Sequence, residues 1–401
     1  MKSKRITIAI LFFAAMLAAV LFSTHSFEQV TLAAETYKQV TVAAEPGRFK
    51  GWPANGGIWS WGDEILVMYT DGNLLIEDPE KHAINYDQPI DNEQARSLDG
   101  GRTWTIEKGK TIRPGGASWE EMGNNGTPPK PLETPMNFAD PNFAFHVEMQ
   151  HHEFGFSRFW YSTDRGKTWQ GSFQFPDLGF ATVNARTNYI INSDKDMMLM
   201  VTVGEVSDHN SDGLRNVLIQ TTDGGLTWRV VANAGRTPAL KGREASNSSI
   251  MGTLTRLSPT KLISLHREWD GSEAEEGWIE AWDSNDNGNT WKFLSRISTN
   301  NTSTPPSVVK LPTGRLVLSY GYRSQPFGIR ARLSDDEGKT WSNEIVLRTD
   351  GGNFDLGYTR DTVKPDGTVV TVYYYNTNPR AERQIEATLW NPAQLSISSI
   401  K

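Results

Sequence analysis

The sequence predicts an all-β chain folded as a six-bladed propeller, and three observations carry that reading. One eight-residue phrase occurs five times, at Ser97–Trp104, Ser162–Trp169, Thr221–Trp228, Ser284–Trp291 and Ser334–Trp341, each copy reading Ser/Thr-x-Asp-x-Gly-x-Thr-Trp. Its successive aspartates stand 65, 59, 63 and 50 residues apart, the period of one four-stranded unit with its loops. The composition agrees: 35 Gly and 20 Pro supply many turns, and 14 Trp, 17 Phe and 11 Tyr suit short half-buried strands better than long helices. At a mean period of about 59 residues, the chain beyond the leader divides into close to six units, with seven small blades as the alternative.

The residue types explain why the phrase closes a hairpin. An Asp at the head of a tight turn folds its carboxylate onto nearby backbone N–H groups, the Gly two positions on takes positive φ, and Thr-Trp resumes an extended strand. These are the marks of the Asp box, and the chain resembles the Asp-box β-propellers, of which the sialidases are the best known. The boxes specify architecture: a carboxylate bound to its own turn is not available for chemistry, so function has to be argued from a site elsewhere.

In chain order, Lys2, Lys4 and Arg5 precede an apolar run from Ile6 to Phe22 and the small residues Ala33 and Ala34. Residues 1–34 therefore read as a secretory signal peptide, with an uncleaved membrane anchor as the alternative, and residues 35–401 as a single propeller domain. Thr36 to Ala44 alternates as a strand without a sequence neighbour, and is expected to complete the last blade. Ile58 to Tyr69 reads as one strand of blade one. Two irregular stretches come next, a polar insertion from Asp71 to Asp91 and a Gly/Pro/Asn-rich connection from Pro114 to Pro141. Blades two to five are expected at about 143–175, 181–231, 246–297 and 306–347. Strands at 355–364, 368–375 and 384–389, with the N-terminal strand, make a sixth.

A formal charge of −7 gives no basic field, so nucleic acid is not expected as a partner; a carbohydrate is, with no protein partner and a monomeric chain. The absence of cysteine excludes disulfides and thiolate chemistry. No cofactor is expected, a structural calcium being left open. His151-His152 lacks a third ligand at metal spacing.

In a propeller, inner strands bring residues remote in sequence to the axis, so charged residues near the starts of blades are the place to look for chemistry. Glu244, Arg267 at the end of an apolar run, Arg323 ahead of the fifth box and Tyr358 ahead of Pro365-Asp366-Gly367 agree in order and spacing with the sialidase pattern. The resemblance implies that Arg267 and Arg323 clamp a substrate carboxylate, with Tyr358 the nucleophile and Glu244 its base. Arg48 is the candidate for a third clamping arginine, although it stands five residues before Pro53 where the family has Arg-Ile-Pro. Asp71, Asp78 and Asp87 are candidates for the acid, Asp71 and Asp78 ranking first.

Physical chemistry supports this division of labour. Arg forks fix a carboxylate in orientation as well as charge. Beside that carboxylate an anionic nucleophile would be repelled, whereas a phenol activated by a base would not, which is why sialidases depart from the two-carboxylate rule. Other readings stand alongside: Tyr358 as a strand aromatic, Arg330 and Arg332 as solvated or ion-paired, and two of Trp52, Trp59 and Trp61 as core. His146, His209 and His266 are candidate bases for another chemistry. The expected activity is a secreted exo-glycosidase of sialidase type releasing a terminal acidic sugar. The alternatives are a propeller lyase or hydrolase acting on uronic-acid glycans, and a non-catalytic carbohydrate-binding propeller.

Overall fold

The computed structural model describes residues 37–78, 81–107, 129–149, 157–175, 177–204, 213–235, 248–269, 277–299 and 304–392, with the backbone of Val30–Thr31 and residue 395. Six antiparallel sheets form a ring. Blade three is Thr182–Ile191, Met197–Gly204, Arg215–Thr221 and Arg229–Asn233; blade four is Ser248–Arg256, Leu262–Trp269, Gly277–Ser284 and Lys292–Ser298. Blade five is Ser307–Lys310, Leu316–Tyr322, Gly328–Ser334 and Ile345–Arg348, its outer edge joined in parallel by Val30–Thr31, which falls within the stretch read as leader. Blade six is Gly357–Val363, Val369–Tyr375 and Gln384–Trp390, completed by Tyr37–Ala43 in the register Tyr37↔Trp390 and Val40↔Ala387. The N-terminal strand thus closes the ring, as its isolation in the sequence suggests.

Blades pack face to face through apolar rows. Ile65, Val67 and Tyr69 of blade one meet Val370, Val372 and Tyr374 of blade six, all fully buried. Each such side chain contributes about 1.5–3 kcal/mol.

The five boxes fold as their residue types dictate. In the second, Asp164 Oδ1 accepts from Ser162 Oγ at 2.7 Å and Thr168 N at 2.9 Å, and Oδ2 accepts from Thr168 Oγ1 at 2.7 Å. The two residues after the Asp are both left-handed, Arg165 at φ 61° and Gly166 at φ 73°. In this box the Trp reaches back to the preceding blade, Trp169 Nε1 donating to Gln94 Oε1 at 3.1 Å.

Two features of the first blades differ from the sequence expectation. Ile58 to Tyr69 is not one strand: the chain reverses at Gly62 (φ 73°), giving Gly57–Trp61 and Glu64–Asn73. Arg48–Gly51 pairs with the far end of Glu64–Asn73, so the inner strand of blade one is broken between them by the short turn Pro53–Gly56; Asp91–Ser97 and Thr105–Glu107 complete the blade. Blade two has three strands among the described residues, Ala144–Glu148, Arg158–Ser162 and Gln170–Gln174, and the position of its box shows that the three are the outer ones. The inner edge of Ala144–Glu148 is satisfied from blade three, Phe145 N donating to Tyr189 Oη at 3.3 Å and Val147 N to Thr187 Oγ1 at 3.1 Å. The Pro53–Gly56 turn leans against the same edge, where the Gly56 carbonyl lies 2.9 Å from His146 Nδ1.

Candidate active site

Inner strands that run past the axis without interruption would present alternating side chains to their neighbours, with none aimed along the axis. Four of them are interrupted at one level, at Pro53–Gly56, between Ala185 and Tyr189, between Ile250 and Thr253, and between Gly357 and Arg360. The last two are bulges that each hold a left-handed residue other than glycine, Met251 at φ 57° and Tyr358 at φ 51°. An aromatic residue held there is strained, and such strain concentrates at functional sites.

Tyr358 is 8% exposed. Arg267, from the end of the second strand of blade four, donates a side-chain hydrogen bond to it. The Arg323 guanidinium, from the corresponding point in blade five, lies 5.4 Å from the Tyr358 ring centre and donates through Nη2 to Tyr374 Oη at 2.9 Å. Burial pushes Arg267 down from its ordinary value; Arg323 is raised, because the nearby Tyr374, Tyr358 and Asp355 outweigh the same desolvation. The three residues read from the sequence at 267, 323 and 358 therefore meet.

Two further guanidinium groups join them. Arg186 sits on the blade-three bulge, its Nε 2.6 Å from Asn55 Oδ1, and burial lowers it to about 9. Arg360 donates from Nη2 to the Ala54 carbonyl at 2.7 Å; its Nε is buried without a hydrogen-bond partner, and burial lowers it to about 10. Arg186 was not among the residues singled out from the sequence. Its place at the start of a blade's inner strand was the available signal.

A carboxylate braces this cluster from behind. Asp355 accepts from Tyr374 Oη at 2.9 Å, Arg383 Nε at 2.8 Å and the Ala83 amide at 3.0 Å, and lies 2.6 Å from His82 Nδ1. Burial alone would push its carboxyl up, but His82, Arg383 and the Ala83 amide hold it well below the usual range. The polar insertion of blade one is thereby pinned across the seam to blade six, with Tyr86 in electrostatic reach of Asp355 and Tyr358.

Other sequence candidates lie elsewhere. Arg48 is not a third clamp in this geometry: Nη2 bonds Asp71 Oδ2 at 2.5 Å and Nη1 bonds Asn73 Oδ1 at 2.7 Å. Asp71 also receives Lys50 Nζ at 2.9 Å, and the network continues to Glu93 and Tyr69 on the face of blade one that packs against blade six. Cross-strand register is the reason: Lys50 opposes Asp71 and Arg48 opposes Asn73. Asp71 is thus committed to an ion pair, and Asp78 sits half-buried in the following loop, its carbonyl accepting from Lys81 N. Glu244, His151, His152 and His209 lie outside the described residues.

Arg330 and Arg332 are buried rather than solvated, bonding the carbonyls of Arg348 and Ser342. Trp52 and Trp59 are core, as expected for two of the three tryptophans. His266 is fully buried, and burial lowers it to about 3, which removes it as a base; His146 is occupied with Gly56 and Thr187. Among the described residues no group of three His, Cys, Asp or Glu could hold a metal ion.

The family model described as BNR repeat-like domain matches residues 118–371, more than half the chain. This chain belongs to that family. No curated protein matches it by sequence. Among solved structures, this BNR repeat-like chain resembles a protein of Dyadobacter fermentans (TM-score 0.67, 21% identity, 89% of this chain and 99% of that one). It also resembles the NanB sialidase of Streptococcus pneumoniae (0.54, 11%, 86% and 70%) and the GH93 α-L-arabinofuranosidase of Fusarium graminearum (0.57, 14%, 90% and 99%). At such identities the likeness is one of fold.

Proposed function

We propose that this BNR repeat-like chain is a glycoside hydrolase that releases a terminal acidic sugar. One observation carries the reading: Arg186, Arg267 and Arg323, from three successive blades, converge on the Tyr358 phenol at the axis. Buried guanidinium groups in such number favour an anionic ligand, and their forked donors suit a carboxylate. Arg186 takes the place the sequence had assigned to Arg48. Tyr358 attacks the anomeric carbon, its oxygen steadied by the Arg267 donor, and Glu244 is its base by the resemblance alone. The sialidase and arabinofuranosidase neighbours support a glycosidase propeller without choosing the sugar. In this reading the enzyme is exported by the leader at 1–34, works as a monomer and needs no cofactor.

The test is a panel of 4-methylumbelliferyl glycosides: an α-sialoside, a β-glucuronide and a neutral arabinofuranoside. Turnover confined to an acidic member and lost in Tyr358→Phe is the expected result. Turnover of the neutral member alone, or ultraviolet absorbance from a 4,5-unsaturated uronate, would overturn it.

A further inference from the structure

The N-terminal chain is used twice on the outside of the ring. Tyr37–Ala43 forms the outermost strand of blade six, and Val30–Thr31, just before it, pairs in parallel with the outermost four-residue strand of blade five in the register Val30↔Ile345 and Thr31↔Val346. That strand, Ile345–Arg348, is buried at all four residues, whereas the outer strands Thr105–Glu107, Gln170–Gln174 and Arg229–Asn233 are exposed or half-buried throughout. The same N-terminal chain supplies cover: Tyr37 packs against the cluster that holds Ile345 and Leu347, and Gln39 Nε2 donates to the Leu347 carbonyl at 3.3 Å. An open edge made of Ile345-Val346-Leu347 would present unpaired N–H and C=O groups on an apolar strand, a template on which a second chain can add. Val30–Thr31 occupies it.

A leader cut after Ala33 or Ala34 would remove Val30 and Thr31 from the exported protein and open that edge. We infer that the leader instead ends at Ser26, and that Val30–Thr31 stays in the exported chain as the fifth strand of blade five. The inference keeps the export proposed above, moves its boundary, and does not rest on the chemistry of the pit. The sequence provides the site. Thr24-His25-Ser26 sets small residues at the two positions that a leader peptidase reads, and Ser26 stands four residues past the end of the apolar run at Phe22. Ala34 stands twelve residues past it. A leader of 26 residues falls within the usual length of about 15–30, and one of 34 does not. Because the peptidase works at the membrane surface, the bond nearer the apolar run is the one presented to it. The cut is a hydrolysis: water adds its hydroxyl to the Ser26 carbonyl carbon and a proton to the Phe27 nitrogen, leaving Phe27 with a free amine. Phe27, Glu28 and Gln29 then precede the strand.

The experiment secretes the full-length precursor from a bacterial host and measures the intact mass of the protein recovered outside the membrane. A chain beginning at Phe27 is expected. Any other first residue would overturn the cut at Ser26, and one beyond Val30 would overturn the strand as well; an uncut chain held on the membrane would also end the export reading, with the glycosidase assays unaffected. Amide hydrogen exchange of the same protein reads the strand itself. Exchange in Ile345–Arg348 should be slower than in Arg229–Asn233, and equal rates would overturn the cover. Val30→Pro combined with Thr31→Pro, which removes both N–H groups, should speed exchange in Ile345–Arg348 at least about tenfold while Leu316–Tyr322, inside the same blade, stays protected. Exchange unmoved at Ile345–Arg348 in that variant would overturn the pairing. The mass and the parent exchange rates need no variant, so both parts are tested even where the double substitution prevents secretion.

Discussion

The turns at one mouth of the ring and the pit at the other are built with the same backbone device and used in opposite ways. Each box places two consecutive left-handed residues after an aspartate, as at Arg165 and Gly166, and closes the turn on itself: the carboxylate receives its own Ser and Thr, so its bonds stay within the hairpin. Burial tends to raise these carboxyls, yet the Thr103 and Ser97 bonds still lower Asp99 to about 2. At the pit the left-handed residues other than glycine are Trp52, Met251 and Tyr358, the last directly after the positive-φ Gly357, and Met251 and Tyr358 turn side chains toward guanidinium groups whose charge burial disfavours, Arg186 and Arg267. A conformation repeated in the five boxes and satisfied within its own turn is scaffold; the same conformation, outside any box and surrounded by buried positive charge, marks a site.

The largest effect expected from this contrast is at Tyr358. Tyr358→Phe keeps the ring and its packing against Arg323 and Tyr374, so the protein should fold with an unchanged melting temperature while turnover of the acidic glycoside falls about a thousandfold. A large drop in thermal stability with activity retained would reverse the contrast and make Tyr358 a core residue. Next comes the clamp. Arg267→Gln should cost about 100-fold in kcat/KM for a carboxylate-bearing substrate and clearly less for the corresponding amide, which loses only the donor to the Tyr358 oxygen. Equal losses on acid and amide would show that Arg267 acts on Tyr358 or on packing and not on the substrate carboxylate.

The same distinction governs how much of the molecule was legible in its sequence. The boxes recur, so blade boundaries from residue 143 to residue 389 were readable within a few residues, and the isolated alternation at Tyr37–Ala43 identified the closing strand. Arg267, Arg323 and Tyr358 were readable because their order and spacing resemble the sialidase pattern, Arg267 ending an apolar run, Arg323 preceding the fifth box and Tyr358 preceding Pro365-Asp366-Gly367. Arg186 has no such marker. Arg48 was misassigned because strand register, which its sequence does not display, aims it at Asp71 and toward blade six. The His82–Asp355 contact joins residues 273 apart, and only the closed ring brings them together. The inner edge of blade two was hidden for a related reason, since Tyr189 and Thr187, which cap it, belong to another blade.

A box carboxylate should show the reverse of Tyr358. Asp164→Ala removes acceptors for Ser162 and for both Thr168 donors at a partly exposed turn, and should cost about 1–2 kcal/mol in urea unfolding. Activity on the acidic glycoside should be retained at temperatures where the variant stays folded. A specific loss of kcat with stability unchanged would bring the boxes into the chemistry.

The smallest effect tests charge behind the pit. Burial pushes the Asp361 carboxyl up to about 6, although Ser319, Thr371, Ser307 and Arg360 all favour its ionised form. Because the folded-state value lies above the unfolded one near 4, the folded protein binds the extra proton in that window. The stability contributed is then fully present below about pH 4 and is lost as pH rises through about 6. The span corresponds to about 3 kcal/mol at most. Asp355, held low, and the box aspartates change protonation only below about pH 4, so they leave the window clear. Unfolding measured in urea at pH 4.5 and 7 should therefore favour the acid condition in the parent more than in Asp361→Asn. A parent and variant with parallel pH dependence would mean that Arg360 keeps Asp361 ionised, and that the charge of Arg360 is already matched inside the ring.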